Sequence, residues 1–393
     1  MPSLSSRVGT FTDSVIRRMT RINDDTPGSI NLSQGYPDFD PPQAVLDAMR
    51  EMSSGGEQHQ YPITFGSKRL RECIAAKYSP RAGRRIDPEE EVVVTCGGTE
   101  AMMAAVMAVC DPGDRVIVFS PFYENYGADA ILSGAEPIYV PLIPPAYAFE
   151  AQALENAFRQ KAKAIIVCNP SNPCGKVFTR QELQLIEDLA AKYDAFVITD
   201  EVYEHIVFDP WEHVMAASLP GAWERTITCN SLSKTFSITG WRIGFVLASP
   251  EVTESIKKVH DFLTIGAPGP LQEAVCAAFS LGQDYYDELK ASYTRKRALF
   301  CAGLDALGLA HSVPQGSYFV MVDISPFLEK DMFRGWSDLQ FCEWMIREVG
   351  VAAVPGSSFF AEDVNNLIRL HFARSEASLS EAAARLQKLK KYL

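Results

Sequence analysis

A lysine set among hydroxyl residues, Ser231-Leu232-Ser233-Lys234-Thr235-Phe236-Ser237, is the stretch of this chain best suited to covalent chemistry. It follows a strand-like run, Thr226-Ile227-Thr228-Cys229, and precedes Arg242 and Gly244, which lead into a second apolar run, Phe245-Val246-Leu247. An amine nucleophile is thereby placed beside hydroxyls, amides and a guanidinium, groups that together hold an anion. A second anion-binding feature is the turn Cys96-Gly97-Gly98-Thr99-Glu100-Ala101. Between a strand and a helix, such a turn presents free amides and the positive end of a helix dipole. It has no G-K-[ST] and lacks the G-x-G-x-x-G of dinucleotide binding. Glu100 must point away from any phosphate held there.

Other residues suit a flat, charged ring and a carboxylate. Pro121-Phe122-Tyr123 presents an aromatic just beyond a strand, where an electron-poor ring stacks well. In Asn169-Pro170-Ser171-Asn172-Pro173-Cys174-Gly175, two Asn-Pro pairs and a glycine fix an irregular turn and leave an Asn amide free to donate. Asp200 ends the apolar run Phe196 to Thr199, and burying an acid there is costly unless a cation meets it. Arg369 alternates with apolar residues in Leu367-Ile368-Arg369-Leu370-His371, so its planar fork points to one face and suits an α-carboxylate. Arg374 ranks second for that role. In the arm Leu32 to Pro42, Gly35 frees the backbone for close approach to a ligand, and the prolines keep the arm from coiling. Taken singly, these pieces also read as a surface lysine, a helix cap, core aromatics and a Pro/Gly loop.

The elements that must position them alternate. From Glu91 to Leu247, strand-like runs at 91–95, 115–119, 136–140, 164–168 and 196–199 are separated by helical patterns at 99–110, near 123, at 150–160 and at 179–193. Near-continuous apolar strands between amphipathic helices imply a mostly parallel sheet covered on both faces. Ligands on such sheets bind beyond the carboxyl ends of the strands, where these residues fall. Ahead of them lie helical patterns at 12–21 and 43–52. After Pro250 the pattern is helical, with one long run from Pro270 to Leu307, and the C-terminal part mixes strands at 318–324 and 366–372 with helices at 336–349 and 378–392.

Composition sets the outer limits. With 393 residues, 47% of them hydrophobic, the chain can bury a large core and divide into two domains. A formal net charge of -12, without a Lys/Arg run, argues against nucleic acid as partner. No stretch of about 18 apolar residues marks a membrane span and Met1 to Thr10 is no signal peptide, so a cytoplasmic protein is expected. Nine cysteines without a C-x-x-C pair, and six dispersed histidines, point to reduced thiols and no metal site. Cys174, in a motif loop, is the candidate exposed thiol.

In order and in residue type, these motifs resemble those of class I/II aminotransferases, the fold-type-I enzymes of pyridoxal phosphate (PLP). The resemblance covers nearly the whole chain and is carried most specifically by Asn169 to Gly175 and by Ser231 to Lys234. Segments 218–226, 233–237 and 314–319 look most like the kynurenine/glutamine-phenylpyruvate aminotransferase branch. It implies an α/β fold: a large PLP-binding domain over 45–285, its sheet sandwiched by helices, and a smaller α+β domain made of 1–44 and 286–393. It implies that Lys234 joins the cofactor aldehyde and moves a proton, that Asp200 meets the pyridine nitrogen, and that Tyr203 and Asn172 donate to the ring oxygen. Tyr123 would stack on the ring. Gly98, Thr99, Ser231, Ser233 and Arg242 would hold the phosphate, with Tyr61 reaching across from the other subunit of a homodimer. Gly35, Tyr36, Asn172, Arg369 and Phe359 would bind substrate.

The activity so implied is transfer of an α-amino group from a neutral amino acid (aromatic, methionine-like or glutamine-like) to a 2-oxo acid by a ping-pong route. The loop His260 to Pro268 offers no second cation for a dicarboxylate, whereas Tyr36, Phe262 and Phe359 suggest an apolar or aromatic pocket. Gly266 departs from the kynurenine enzymes, which carry a side chain in this loop, and counts against kynurenine itself. The alternatives are a carbon-sulfur β-lyase and an aminotransferase of diaminopimelate or aspartate. A PLP-binding regulator is not expected, because its DNA-binding domain has no room ahead of Gly35.

Overall fold

The structure, a computed structural model, describes residues 3, 5–11, 14–55 and 59–393. The arm contributes a two-residue strand, β1 (Ile30–Asn31). The central sheet is built from β2 (Val92–Thr95), β3 (Arg115–Ser120), β4 (Glu136–Pro141), β5 (Ala162–Cys168), β6 (Phe196–Asp200), β7 (Thr226–Ser231) and β8 (Gly244–Leu247), in the spatial order β2-β8-β7-β6-β5-β3-β4. β8 runs antiparallel to both neighbours, and every other pairing in this sheet is parallel.

Burial on both faces explains why these strands read as unbroken apolar runs. Ile117, Phe119, Ile165, Val167 and Val197 pack on one side with the helices Ala151–Phe158 and Arg180–Lys192. Their neighbours Val116, Val118, Ala164, Ile166 and Ile198 pack on the other with the helices Gly98–Val109, Asn125–Leu132 and Pro250–Thr264. Successive side chains alternate between faces, so most positions of a two-sided sheet are apolar. The helix Arg180–Lys192 starts where the sequence specifies it, because Thr179 and Glu182 form a reciprocal capping box.

The C-terminal part adds β9 (Phe319–Asp323), β10 (Val351–Ala352), β11 (Val354–Pro355) and β12 (Leu367–His371). β11-β12-β9 form an antiparallel sheet, and β10 pairs parallel with β1, which ties the arm to this part of the chain. One continuous core joins Met19 and Leu32 of the N-terminal segment to Leu289, Phe300, Phe341 and Leu379.

Three expectations need correction. The run Pro270 to Leu307 is not one helix. It breaks into Gly269–Val275, a tight turn over Cys276–Ser280, and Gln283–Leu307. Leu281 is extended and Gly282 becomes the cap of the long helix, a place where glycine is tolerated better than inside a helix. The first helix spans Val15–Asp24 and starts after Ser14, whose side chain accepts from the Arg17 amide. Thr12 and Asp13, expected to open it, lie outside the described residues. All nine cysteines are free, and Cys174 is buried, with its thiol on the Ser171 hydroxyl. No helix among the described residues is long and apolar enough to cross a membrane.

Candidate active site

Strand register brings the site together. Cys168 of β5 lies level with Asp200 of β6, and Asp200 lies level with Cys229 of β7, so these strands end side by side. Beyond their ends opens a cavity of about 490 Å³. It is lined by Gly35, Tyr36, Gly98, Thr99, Tyr123, Asn172, Asp200, Tyr203, Ser231, Ser233, Lys234, Arg242 and Arg369, all expected from sequence. Three expected residues are elsewhere. Phe262, expected in the pocket, is 91% exposed on the helix Pro250–Thr264 and does not line the cavity. Phe359 is fully buried under the Arg369 guanidinium, 4.6 Å from ring centre to charge, and does not line the cavity. Tyr61 is 82% exposed on the outside of the chain.

At one end the cavity is a cradle for an anion. Gly97 caps the helix Gly98–Val109 with no side-chain hydrogen bond and a left-handed φ of 81°. A side chain at Gly97 would collide with the Arg242 guanidinium, so glycine lets the arginine lie against the helix start. The Ser231 hydroxyl donates to Ser233 Oγ at 2.8 Å, bringing a second hydroxyl to the same end. Glu100 turns away, as expected. It accepts from the Cys96 amide at 2.5 Å, sits 2.7 Å from His260 Nδ1 and takes a bond from the Thr264 hydroxyl, tying the turn to the helix Pro250–Thr264.

In the middle stand the amine and the acid. Lys234 Nζ donates to the Gly35 carbonyl at 3.0 Å. Burial, with Arg242 and Arg369 nearby and Asp200 opposing, lowers its pKa to about 8. Asp200 accepts from the Tyr126 hydroxyl at 2.7 Å and from the Val202 amide, and burial still holds its pKa above the ordinary range. Tyr203 packs edge-on against Tyr318 and Phe319.

At the other end lies Arg369, with burial lowering its pKa to about 10. It donates to Asn172 Oδ1 at 2.8 Å and to the Ser33 carbonyl at 2.7 Å, while Phe319 and Phe359 lie against its guanidinium. A guanidinium only donates, so Asn172 must turn its oxygen to Arg369 and its NH2 elsewhere. Arg374, the second choice, binds the Asn31 and Tyr36 carbonyls and stacks on Tyr36, so it fastens the arm instead. A side chain on Gly35 would stand 2.6 Å from Phe319, which is why this close crossing carries glycine.

Sequence reading missed several groups. Tyr126 follows Tyr123 by three residues, and helical spacing would have brought it to the same side. Asp129 and Arg17 also line the cavity. A lone acid in the apolar run Gly127 to Leu132 was the available signal for Asp129, while Arg17 carried none. Outside the cavity, Arg81 pairs with Glu204 at 2.9 Å and contacts His213 Nδ1 at 2.8 Å, and His213 Nε2 stands 3.1 Å from Glu201. This buried knot braces the loop after Asp200 against the helix Lys68–Ala82.

A helix-covered parallel sheet with an amine, an acid and an anion cradle beyond its strand ends is the architecture of fold-type-I PLP enzymes. The chain belongs to the class I and II aminotransferases, whose family model matches residues 27–386. It is 35% identical to human kynurenine--oxoglutarate transaminase 1 over 389 residues, 92% of each chain. Among solved structures it resembles the N-succinyldiaminopimelate aminotransferase of Mycobacterium tuberculosis, at TM-score 0.92 and 36% identity, covering 99% of this chain and 100% of that one. It also resembles Escherichia coli YbdL, described with a methionine aminotransferase function, at TM-score 0.91 and 32% identity, covering 99% and 100%.

Proposed function

We propose that this aminotransferase takes its amino group from a neutral, aromatic or methionine-like amino acid and passes it to a 2-oxo acid bearing a second carboxylate. The residues present fit PLP. An uncapped helix start with Arg242, Ser231 and Ser233 suits a phosphate dianion, and Asp200, held by Tyr126, suits a ring cation. When bound, PLP supplies the electron sink for the α-carbon. Lys234 would carry the cofactor and, once freed, hold and move the proton of the α-carbon, a task for which an amine near pKa 8 is suited. Asn172 and Tyr203 would donate to the ring oxygen, Tyr123 would stack on the ring, and Arg369 would take the substrate carboxylate beside the Gly35 and Tyr36 backbone.

The observation that carries the reading is the shared cavity of Lys234, Asp200 and Arg369. Its substrate-side lining of Ile16, Tyr36, Tyr123 and Phe319 supports a neutral donor. Arg17, at the same cavity, supports an acceptor with a distal carboxylate. A stopped-flow screen following the cofactor absorbance tests both. Phenylalanine or methionine should bleach it faster than aspartate, and 2-oxoglutarate should restore it faster than pyruvate; the reverse order would refute the assignment.

We further propose a cytoplasmic homodimer with the domain division given above. Tyr61, Ile63, Phe262, Leu263 and Ile265 form an exposed apolar group where the segment 60–64 meets the end of the helix Pro250–Thr264. A second copy covering them would bring Tyr61 to the neighbouring phosphate cradle. Sedimentation of a monomer at micromolar concentration would count against it.

A further inference from the structure

We infer that Asp129 is a positioning residue for the cofactor ring: with Asp200 it forms a carboxyl pair that holds one proton until a cation arrives beside Asp200. Asp129 lies on the helix Asn125–Leu132, is 3% exposed and lines the same cavity as Asp200. Three residues after Tyr126, it shares the helix side whose tyrosine binds Asp200. Its Oδ2 meets no hydrogen-bond donor among the described residues. A buried carboxyl in that condition keeps its proton unless a positive charge comes near.

Arg17, Lys234, Arg242 and Arg369 line the same cavity, yet none of them is among the charges that act on Asp129. Asp200 faces it from β6, and Cys229 from β7 feels both acids. On its own helix stands Tyr126, with Tyr123 just ahead of it, and the helix Gly98–Val109 contributes the uncharged Met102 to the cavity wall. Lys234 and its charge act on Asp200. Burial, and then Asp200, push Asp129 up to about 8, so in the cofactor-free chain it is protonated at neutral pH. A ring cation beside Asp200 offsets that repulsion, and the Asp129 O–H then breaks, its proton leaving to water. Two carboxylates then face one pyridinium, so cofactor uptake is linked to proton release.

This inference rests on the reading that Asp200 meets the ring nitrogen. The test is calorimetric titration of cofactor-free protein with PLP at pH 7, in buffers of different ionisation enthalpy, for wild type and Asp129→Asn. Wild type should release about one proton more per site than the variant, because only its Asp129 can ionise on binding. Equal proton counts from two proteins that both develop the bound-cofactor absorbance would overturn the inference while leaving the Asp200 reading intact. Should Asp129→Asn fail to fold, the infrared difference between cofactor-free and loaded wild type decides. Loss of a protonated-carboxyl band on loading supports the pair, and its persistence overturns it. If wild type develops no cofactor absorbance at all, the Asp200 reading falls and this inference falls with it.

Discussion

On the floor of the cavity the polar groups find partners within the chain: Asp200 with Tyr126 and the Val202 amide, Ser231 with Ser233, Arg369 with Asn172 and the Ser33 carbonyl. Away from the cavity, Tyr61 and Phe262, 82% and 91% exposed, project outward from the chain that carries them. The floor is therefore largely preorganised by the fold itself, Asp129 Oδ2 and Arg369 Nε being left without partners among the described residues. A second copy, in the homodimer proposed above, would bring Tyr61 to the rim. Changes on the floor should reach the chemistry, and changes at the rim should reach affinity and selection.

The largest effect that separates the two belongs to Lys234. If Lys234 is both the covalent anchor and the proton carrier, as proposed, Lys234→Ala should lower turnover by at least about 10⁴-fold. Borohydride reduction followed by peptide mass analysis should find no cofactor adduct on the chain. Asp200→Asn keeps the shape but loses the charge. Turnover should fall roughly 10³-fold, about 4 kcal/mol in the barrier. A drop below tenfold, measured by steady-state kinetics, would mean that the floor does not work through this acid.

The brace under the floor gives the next effect. Burial pushes Glu204 up, but Arg81, His205 and His213 overcome it and hold it at about 2, and the Tyr78 hydroxyl donates to it as well. Its pKa is depressed on folding, so its contribution is present above the ordinary carboxylate range and is lost as pH falls towards 2. Arg81→Ala leaves Glu204 buried without its cation. Arg81 itself keeps a quarter of its side chain exposed, so the loss should be about 2–3 kcal/mol, below that of a fully buried pair. Urea unfolding at pH 7 measures it, and an unchanged midpoint would refute the brace.

How far the sequence disclosed this difference depends on whether a residue acts locally or through a fold contact. Asn172, Lys234 and the Gly97-Gly98 turn sit in short segments whose residue types and spacing already specify their geometry, and the structure brings them to one cavity. Asp200 and Arg369 were visible because a charge inside an apolar strand has few bland explanations. Arg81 and Glu204 lie more than a hundred residues apart, and nothing local in either marks the other. Phe359 was assigned to the cavity wall as one of the aromatics of an apolar substrate pocket, yet packing under Arg369 removes it from the surface. Arg17 sits on an otherwise ordinary amphipathic helix, and distant contacts bring that helix over the site: the pairing of β1 with β10, the bonds of Ser14 and the Ile16 amide to Glu124, and the Arg18–Glu343 ion pair.

The amine of Lys234 sharpens the comparison through pH. With its pKa lowered to about 8, chiefly by burial, about a tenth of the amine is free at pH 7, against well under a thousandth for an ordinary lysine. The rate at which cofactor-free protein takes up PLP covalently should therefore rise with pH around a midpoint near 8. A midpoint near 10 would place the amine in solvent-like surroundings and contradict a desolvated floor.

The smallest effect belongs to the rim. Arg17→Met removes a cation at the cavity without touching Lys234, Asp200 or Arg369. If Arg17 meets the distal carboxylate of the acceptor, KM for 2-oxoglutarate should rise about fivefold, roughly 1 kcal/mol, the upper range for an exposed ion pair. KM for a monocarboxylic acceptor and the rate of the donor half-reaction should stay within about twofold. Because the lost contact is made equally in the bound and reacting states, kcat should hold while KM moves. A fall in kcat for both acceptors would instead place Arg17 with the floor, and the division between a preorganised floor and a selecting rim would then fail at this position.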